Sequence, residues 1–309
     1  MAGRNYIIMK SESILIVGTG ALGTLFAARL SAAGIPVSVL GTWQEGLAAL
    51  HQKGAGLEGS GSYPVQILEG TPNSKPARYA LVLVKSWQTR RAARQLSGCF
   101  AQDGLAVSLQ NGLSNDEILS EDLGISRVSR GVTTLGATLL APGLVRLAGN
   151  GPVSLEAHPS LGHLPEMLIR AGFEVKVVST VRSLVWGKLV VSSAINALTA
   201  LLRLNNGELL ESPTARLLMG ALASETASVA AMLGVELPFH DPVKATEEVA
   251  IRTAGNISSM LQDVLRGSPT EIDAINGAVV QLAKAGQINV PVNQIILSLV
   301  KSLPVRGKM

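Results

Sequence analysis

Residues 14–40 read as a strand, a glycine turn, a helix and a second strand in immediate succession. Ile14–Val17 is an apolar run of strand length. Gly18-Thr19-Gly20-Ala21-Leu22-Gly23 follows at once. Ala21, Leu22, Leu25, Ala28 and Leu30 then suit a helix packed on a sheet. Gly34 ends that helix, and Val37–Leu40 is the next strand. This is a βαβ unit with glycines where a bound dinucleotide needs them. Gly18 permits the tight turn, Gly20 lets a diphosphate approach the backbone, and Gly23 lets helix and strand pack closely. The diphosphate would rest on the helix N-terminus, where free N–H groups and the helix dipole favour negative charge. Thr19, Ala21 and Leu22 share that loop and join the three glycines as candidate cofactor-binding residues. The alternative is a glycine turn with no ligand.

The chain has 309 residues, 47% of them hydrophobic and 16% charged, enough to bury a large core and to build two domains. A net charge of +4, few aromatic residues and the absence of any Lys/Arg run argue against nucleic-acid binding. Cys99 is the only cysteine, so no intrachain disulfide can form, and a reducing, cytoplasmic setting fits. The histidines (His51, His158, His163, His240) are scattered with no metal-binding spacing, so no metal site is expected. Polar residues or glycine interrupt every apolar stretch, which argues against a membrane span. Met1–Glu12 lacks the apolar segment of a secretion signal and is expected to be a frayed extension.

The first half alternates strand and helix. Tyr79–Val84, Leu105–Leu109 and Arg127–Val132 read as strands, with helical patterns at Thr89–Leu96 and Asp116–Leu119. Such alternation implies a parallel sheet covered by helices on both faces. Gly54–Ser62 reads as a loop or a small hairpin. Val145–Leu147, Val153–Glu156 and Phe173–Val178 read as later strands, with a helix at Leu164–Ala171. Past Thr180 the periodicity is mostly helical: Ser183–Leu202, Pro213–Leu233, Pro242–Glu248 onward, Met260–Arg266, Ile272–Ala285 and Val292–Leu303. The expected architecture is α/β: a Rossmann-type dinucleotide-binding domain over residues 1–180, then an all-α domain over residues 181–309.

A nucleotide domain does not define a reaction, so the helical part must supply substrate contacts and a proton donor or acceptor. In the apolar helix from Trp186 onward, Lys188, Ser192 and Asn196 recur at i, i+4 and i+8, which places them along one side. A charged lysine is costly in a core, so this polar stripe suggests a cleft between domains. Desolvation there would lower the lysine pKa towards the range of a general acid. A lysine snorkelling at the helix start has the same spacing. A second cluster runs Asn256-Ile-Ser-Ser259-Met-Leu-Gln-Asp263 and Pro269-Thr-Glu271-Ile-Asp273-Ala-Ile-Asn276-Gly277. Its residues could bind a substrate carboxylate or hydroxyl, although on the residues alone helix capping, by Ser268 or Thr270 near a helix start with acids in the first turn, is the simpler reading. Lys85 and Gln88 follow one predicted strand, and Gln110-Asn111-Gly112 follows another. Ligands bind at such strand ends, so the two groups could reach the adenine and nicotinamide halves of the cofactor respectively.

Taken in order, these segments resemble the ketopantoate reductase family from about Ser13 to Leu303. The matching motifs are Gly18-x-Gly20-Ala-Leu-Gly23, Lys85-x-x-Gln88, Asn111-Gly112, Lys188 with Asn196-Ala-Leu-Thr-Ala, Asn206-Gly207-Glu208-Leu209, and the two halves of the second cluster. The resemblance implies NADPH-dependent reduction of 2-dehydropantoate, a 2-keto acid, in pantothenate synthesis. It casts Lys188 as general acid and Glu271 as a catalytic residue that places substrate and cofactor. Asn196, Asn206, Asn256 and Ser259 become substrate contacts. Asn111 lies by the nicotinamide, and Lys85 and Gln88 lie by the adenosine end. Two positions depart from the family pattern. Ser192 stands where an Asn is usual. Leu40-Gly41-Thr42-Trp43 lacks the Arg that often pairs with the NADP 2′-phosphate, yet also lacks the carboxylate that favours NAD. Thr42 and Lys85 are then the candidate phosphate contacts. NADP is the expected cofactor, with NAD left open. The other readings are a reductase of another 2-keto or 3-hydroxy acid and a non-catalytic NADP sensor. A monomer or homodimer acting on a small molecule is expected.

Overall fold

The computed structural model describes residues 12–68 and 76–305. The extension expected over Met1–Glu12 therefore lies, but for Glu12, outside the described residues. The described residues form two compact units. One lies within Met1–Gln110 and Asp116–Ser179, the other within Asn111–Asn115 and Thr180–Met309.

The first unit is built on an eight-stranded sheet. Its order is Val175–Val178, Val153–Glu156, Val128–Thr133, Phe100–Ser108, Ala77–Val82, Ile14–Val17, Val37–Leu40 and Gln66–Ile67. Ile14–Val17 pairs in parallel with both neighbours and is wholly buried, hence its unbroken apolar run. Alternation along it divides the core. Ile14 and Ile16 pack with Phe26 and Leu30 of the helix Ala21–Ala32 on one face. Leu15 and Val17 pack with Ala92, Ala93 and Leu96 of the helix Thr89–Cys99 on the other.

The sheet is not parallel throughout. Val153–Glu156 runs antiparallel to Val128–Thr133. No helix crosses over between these strands. The chain returns through the antiparallel pair Gly136–Ala141 and Leu144–Gly149, so the next strand enters in the opposite sense. That pair continues a second, four-stranded sheet through Ala55–Leu57 and Gly61–Tyr63. The Gly54–Ser62 stretch is thus largely a hairpin, one of its two expected forms.

The second unit is helical. Arg182–Leu202 runs through its core, packed with Pro213–Met232, Pro242–Arg252, Ser259–Leu265 and Pro291–Lys301. Local chemistry sets the helix starts. Ser212 Oγ accepts from the Ala215 N–H, and the Asp241 carboxylate accepts from the Val243 and Lys244 N–H groups, each ahead of a proline, which has no N–H to satisfy. Arg182–Leu202 is long and apolar enough to cross a membrane by composition, but 67% of its most apolar window is buried within the structure. The helix expected over Ile272–Ala285 is interrupted. Asp273–Gly277 forms a π-turn, with the Gly277 N–H donating to the Ile272 carbonyl at 3.0 Å, and the α-helix begins only at Ala278.

Candidate active site

In the first unit the glycines of the first turn have different physical reasons. Gly18 has φ +125°, and a Cβ there would sit 3.0 Å from the Leu83 carbonyl. A Cβ on Gly23 would sit 2.0 Å from the Gly18 oxygen. Backbone packing therefore requires both. Nothing lies within 4 Å of where a Cβ on Gly20 would be, and Gly20 is exposed. The helix Ala21–Ala32 begins there with no side-chain cap and no acid in its first turn. An open approach to a glycine backbone beside an uncapped helix start fits a dinucleotide diphosphate.

Backbone bonds gather the neighbouring strand ends around this loop. The Gly18 N–H donates to the Leu40 carbonyl and the Leu83 N–H to the Val17 carbonyl, both at 2.8 Å. Thr19 packs against Gly41. Gln88 Nε2 donates to Thr42 Oγ1 at 3.4 Å, joining two of the predicted cofactor residues. Lys85 is half-buried and opens the short turn Ser86–Gln88 that carries Gln88. Gln110 does not reach outward as a strand-end ligand group. Its amide donates to the Val84 carbonyl and to Thr89 Oγ1, at 3.1 and 2.7 Å, and holds the two loops together.

In the second unit, Asn111–Asn115 is held by the π-turn region. Asn111 Nδ2 donates to Glu271 Oε2 at 3.2 Å, and the Leu113 N–H donates to the Ala274 carbonyl at 3.2 Å. Gly112, at φ +84°, lets the backbones meet, because a Cβ would lie 2.4 Å from that same carbonyl oxygen. A single cut near residue 180 would leave Asn111–Asn115 with the first unit; these contacts explain why it groups with the second.

Glu271 is only 5% exposed. Lys188, in the second turn of Arg182–Leu202, is half-buried by surface but deeply desolvated at its ammonium. Burial lowers its pKa to about 8, and the Glu271 charge works in the opposite sense. Ser192 and Asn196, one and two turns on, are also half-buried, unlike the fully buried Leu189, Val190 and Ala194. Lys188, Glu271 and Asn111 therefore share one locality.

Asn206 and Asn256 form another group. The Asn206 N–H donates to the Asn256 carbonyl at 3.1 Å, and Asn206 Nδ2 donates to Thr253 Oγ1 at 2.9 Å. Asn206 Oδ1 is buried without a partner among the described residues. Of the two residues expected as caps, Thr270 Oγ1 accepts from the Ile272 N–H at 3.4 Å, while the cap of Ser259–Leu265 is Ser258, whose Oγ accepts from the Leu261 N–H at 3.1 Å and meets Thr199 Oγ1 at 2.6 Å. Ser259 opens the helix and is half-buried. The sequence reading missed Thr199 and Thr253, which anchor these groups. Thr253 lies three residues before Asn256 and Thr199 three after Asn196, but neither spacing has a chemical signature of its own.

Two models of the ketopantoate reductase family match the chain. "Ketopantoate reductase PanE/ApbA" covers residues 14–160, and "Ketopantoate reductase PanE/ApbA C terminal" covers residues 180–303. A 2-dehydropantoate 2-reductase of Archaeoglobus fulgidus is 35% identical over 304 residues, 96% of this chain and 99% of that protein. The chain belongs to the ketopantoate reductase family.

Another family enzyme, the 2-dehydropantoate 2-reductase of Halobacterium salinarum, is 32% identical over 93% of this chain and 97% of its own. The crystal structure of a ketopantoate reductase from Ralstonia eutropha superposes with a TM-score of 0.87 at 30% identity, over 94% of this chain and 98% of that one. A D-mandelate dehydrogenase with NADH and anilino(oxo)acetate also reaches a TM-score of 0.87, over 94% and 97% of the two chains. At 24% identity, that likeness shows a shared fold alone.

Proposed function

We propose that this member of the ketopantoate reductase family reduces 2-dehydropantoate to pantoate with NADPH, with Lys188 as proton donor. The observation that carries the reading is the desolvated Lys188 ammonium in the locality of the buried Glu271 carboxylate. Near pH 7 the amine is mostly protonated, yet its pKa of about 8 makes it a far stronger acid than a surface lysine. Glu271 keeps it charged, and Asn111 fixes one oxygen of Glu271.

Gly18–Gly23 would hold the diphosphate of the dinucleotide, which when bound would supply the hydride. As the carbonyl oxygen gains negative charge, Lys188 Nζ gives it a proton and becomes a neutral amine. Solvent then returns the proton. Asn206 Oδ1, a buried acceptor with no protein partner among the described residues, suits a substrate hydroxyl. Asn196, Asn256 and Ser259 complete the proposed substrate contacts, with Ser192 where the family usually has Asn. Holding the keto acid in one orientation supplies much of the rate gain.

Thr42 and Lys85 are the proposed contacts for the NADP 2′-phosphate, with Gln88 beside them; no carboxylate stands in Leu40–Trp43 to favour NAD. The domain assignment follows: cofactor on the first unit, substrate and proton donor on the helical one. The reading is of a cytoplasmic enzyme, monomeric or homodimeric. Ser192 favours one second reading, a reductase of a different 2-keto acid with a bulkier side chain.

The test is NADPH consumption with 2-dehydropantoate and a panel of branched 2-keto acids, on wild type and Lys188→Ala. The expected result is preference for 2-dehydropantoate and a loss of kcat of about 10²–10⁴-fold in the variant. Turnover of another acid in preference selects the second reading. Near-normal turnover by Lys188→Ala removes Lys188 from the mechanism.

A further inference from the structure

Asn276 has no exposed surface and lies in the π-turn Asp273–Gly277. Its Nδ2 donates twice, to the Ser193 carbonyl at 3.0 Å and to Asn293 Oδ1 at 2.9 Å. Ser193 belongs to the long helix that carries Lys188. Asn293 stands in the first turn of Pro291–Lys301.

Asn293 is itself clamped. Its Nδ2 and its backbone N–H both donate to Glu225 Oε2, at 2.9 and 2.8 Å. The Val292 N–H donates to Glu225 Oε1 at 2.9 Å. A carboxylate on free N–H groups at a helix start is well placed electrostatically. The relay Glu225–Asn293–Asn276–Ser193 thus ties the π-turn to three helices of one core.

The asparagine is satisfied on one side only. Asn276 Oδ1 is buried with no partner among the described residues. An unpaired buried acceptor costs free energy, a cost Asn276 carries beside its two donated bonds. What the asparagine adds is a pair of directional bonds at the π-turn. A π-turn is held by i to i+5 bonds in place of i to i+4, so it shifts what precedes it relative to the helix that follows. Glu271 precedes this turn by two residues. Ala274, within the turn, holds Leu113 and so the Asn111 segment.

We propose that Asn276 is a positioning residue for the reaction. Through Ser193 and Asn293 it locks the π-turn in register with the long helix, and so sets Glu271 against Lys188 and Asn111. The inference rests on Lys188 as proton donor.

The experiment follows kcat against pH in the full-length enzyme for wild type, Asn276→Ala, Asn293→Ala and Thr226→Val. Wild type should lose activity above pH 8 as Lys188 deprotonates. Asn276→Ala should lower kcat by up to about 10²-fold, the scale of a small misplacement, with the KM for NADPH nearly unchanged. Its alkaline limb should move to lower pH, because Lys188 then loses support from Glu271. Asn293→Ala should move the limb the same way by less, and decides the matter if Asn276→Ala does not fold.

Thr226→Val is the structural control. Thr226 Oγ1 meets Ser193 Oγ at 2.9 Å and donates to the Leu222 carbonyl, so the change loosens the same helix but breaks no bond to the π-turn. It should lower the melting temperature and leave the limb in place. Folded Asn276→Ala or Asn293→Ala with a wild-type limb and kcat overturns the proposal. So does Thr226→Val moving the limb as far as Asn276→Ala. A wild type with no alkaline limb, or Lys188→Ala with normal turnover, overturns the proton-donor reading and the inference with it.

Discussion

Asn111 and Glu271, 160 residues apart in sequence, meet through a 3.2 Å hydrogen bond from Nδ2 to Oε2. The bond occupies one carboxylate oxygen of a buried acid whose charge opposes the downward shift of the Lys188 pKa. The pair therefore ties Asn111 to the carboxylate whose charge acts on Lys188, within one unit.

Glu271→Gln tests that coupling. It removes a negative charge that favours the Lys188 ammonium, so the lysine pKa should fall below its present value of about 8. With Lys188 as the proposed proton donor, reduction would need the protonated amine. Activity should then decline at lower pH than in wild type, while oxidation of the product, which needs the neutral amine, should extend to lower pH. The measurement is the pH dependence of kcat in both directions. An unmoved alkaline limb separates Glu271 from Lys188 in the mechanism.

The glycines of the first turn should divide under substitution by alanine. Gly23→Ala places a methyl 2.0 Å from the Gly18 oxygen, which must distort the turn and should cost about 1–3 kcal/mol of stability. Gly20→Ala meets no protein atom within 4 Å, so the melting temperature should hold. NADPH affinity should nevertheless drop, because the methyl stands where the diphosphate approaches. Thermal unfolding and fluorescence titration read the two effects. A Gly20→Ala protein that binds NADPH like wild type would place the diphosphate elsewhere.

Lys85→Ala addresses cofactor choice. If Lys85 and Thr42 hold the 2′-phosphate, wild type should bind NADPH more tightly than NADH, and the variant should narrow the gap by weakening NADPH alone. Dissociation constants for both cofactors provide the check. Equal loss for both would assign Lys85 to a part of the dinucleotide that the two share.

Ser192→Asn bears on the substrate. With 2-dehydropantoate as substrate, the shorter serine leaves room for a bridging water, and water bridges come close to direct hydrogen bonds in strength. The longer amide should then keep or raise kcat/KM for 2-dehydropantoate. If Ser192 makes room for a bulkier acid, the same change should depress activity on that acid instead. Loss of activity on every acid in the panel would contradict both outcomes.

Much of the fold was legible because its signals are local. The run Ile14–Val17, the glycines that follow it and the helix after them are covalent neighbours, and steric rules for glycine leave few other conformations. Helix starts such as Asp241-Pro242 carry their caps beside them. The reversal at Val153–Glu156 was not legible. An apolar run shows that a strand is buried, not which way it runs, and direction was decided by a hairpin recruited into a second sheet. The π-turn was equally hidden, since Ile272–Ala285 has ordinary helical periodicity and the bonds made at the break reach Ser193 and Asn293, 83 and 17 residues away in the chain.

By itself, then, the sequence determined which residues have the chemistry to act: a lysine on an apolar helix, an acid and amides in a clustered motif, and glycines at a nucleotide turn. Their types and short spacings are properties of the chain. Only the tertiary structure decided which of them meet. It brought Asn111 to Glu271 and Glu271 to the neighbourhood of Lys188, and it capped the helix Ser259–Leu265 with Ser258, a residue outside the expected caps Ser268 and Thr270. The reason is physical. A lysine pKa and a carboxylate's partners depend on burial and on charges a few ångströms away, and those distances exist only once residues far apart in the chain are packed into one core.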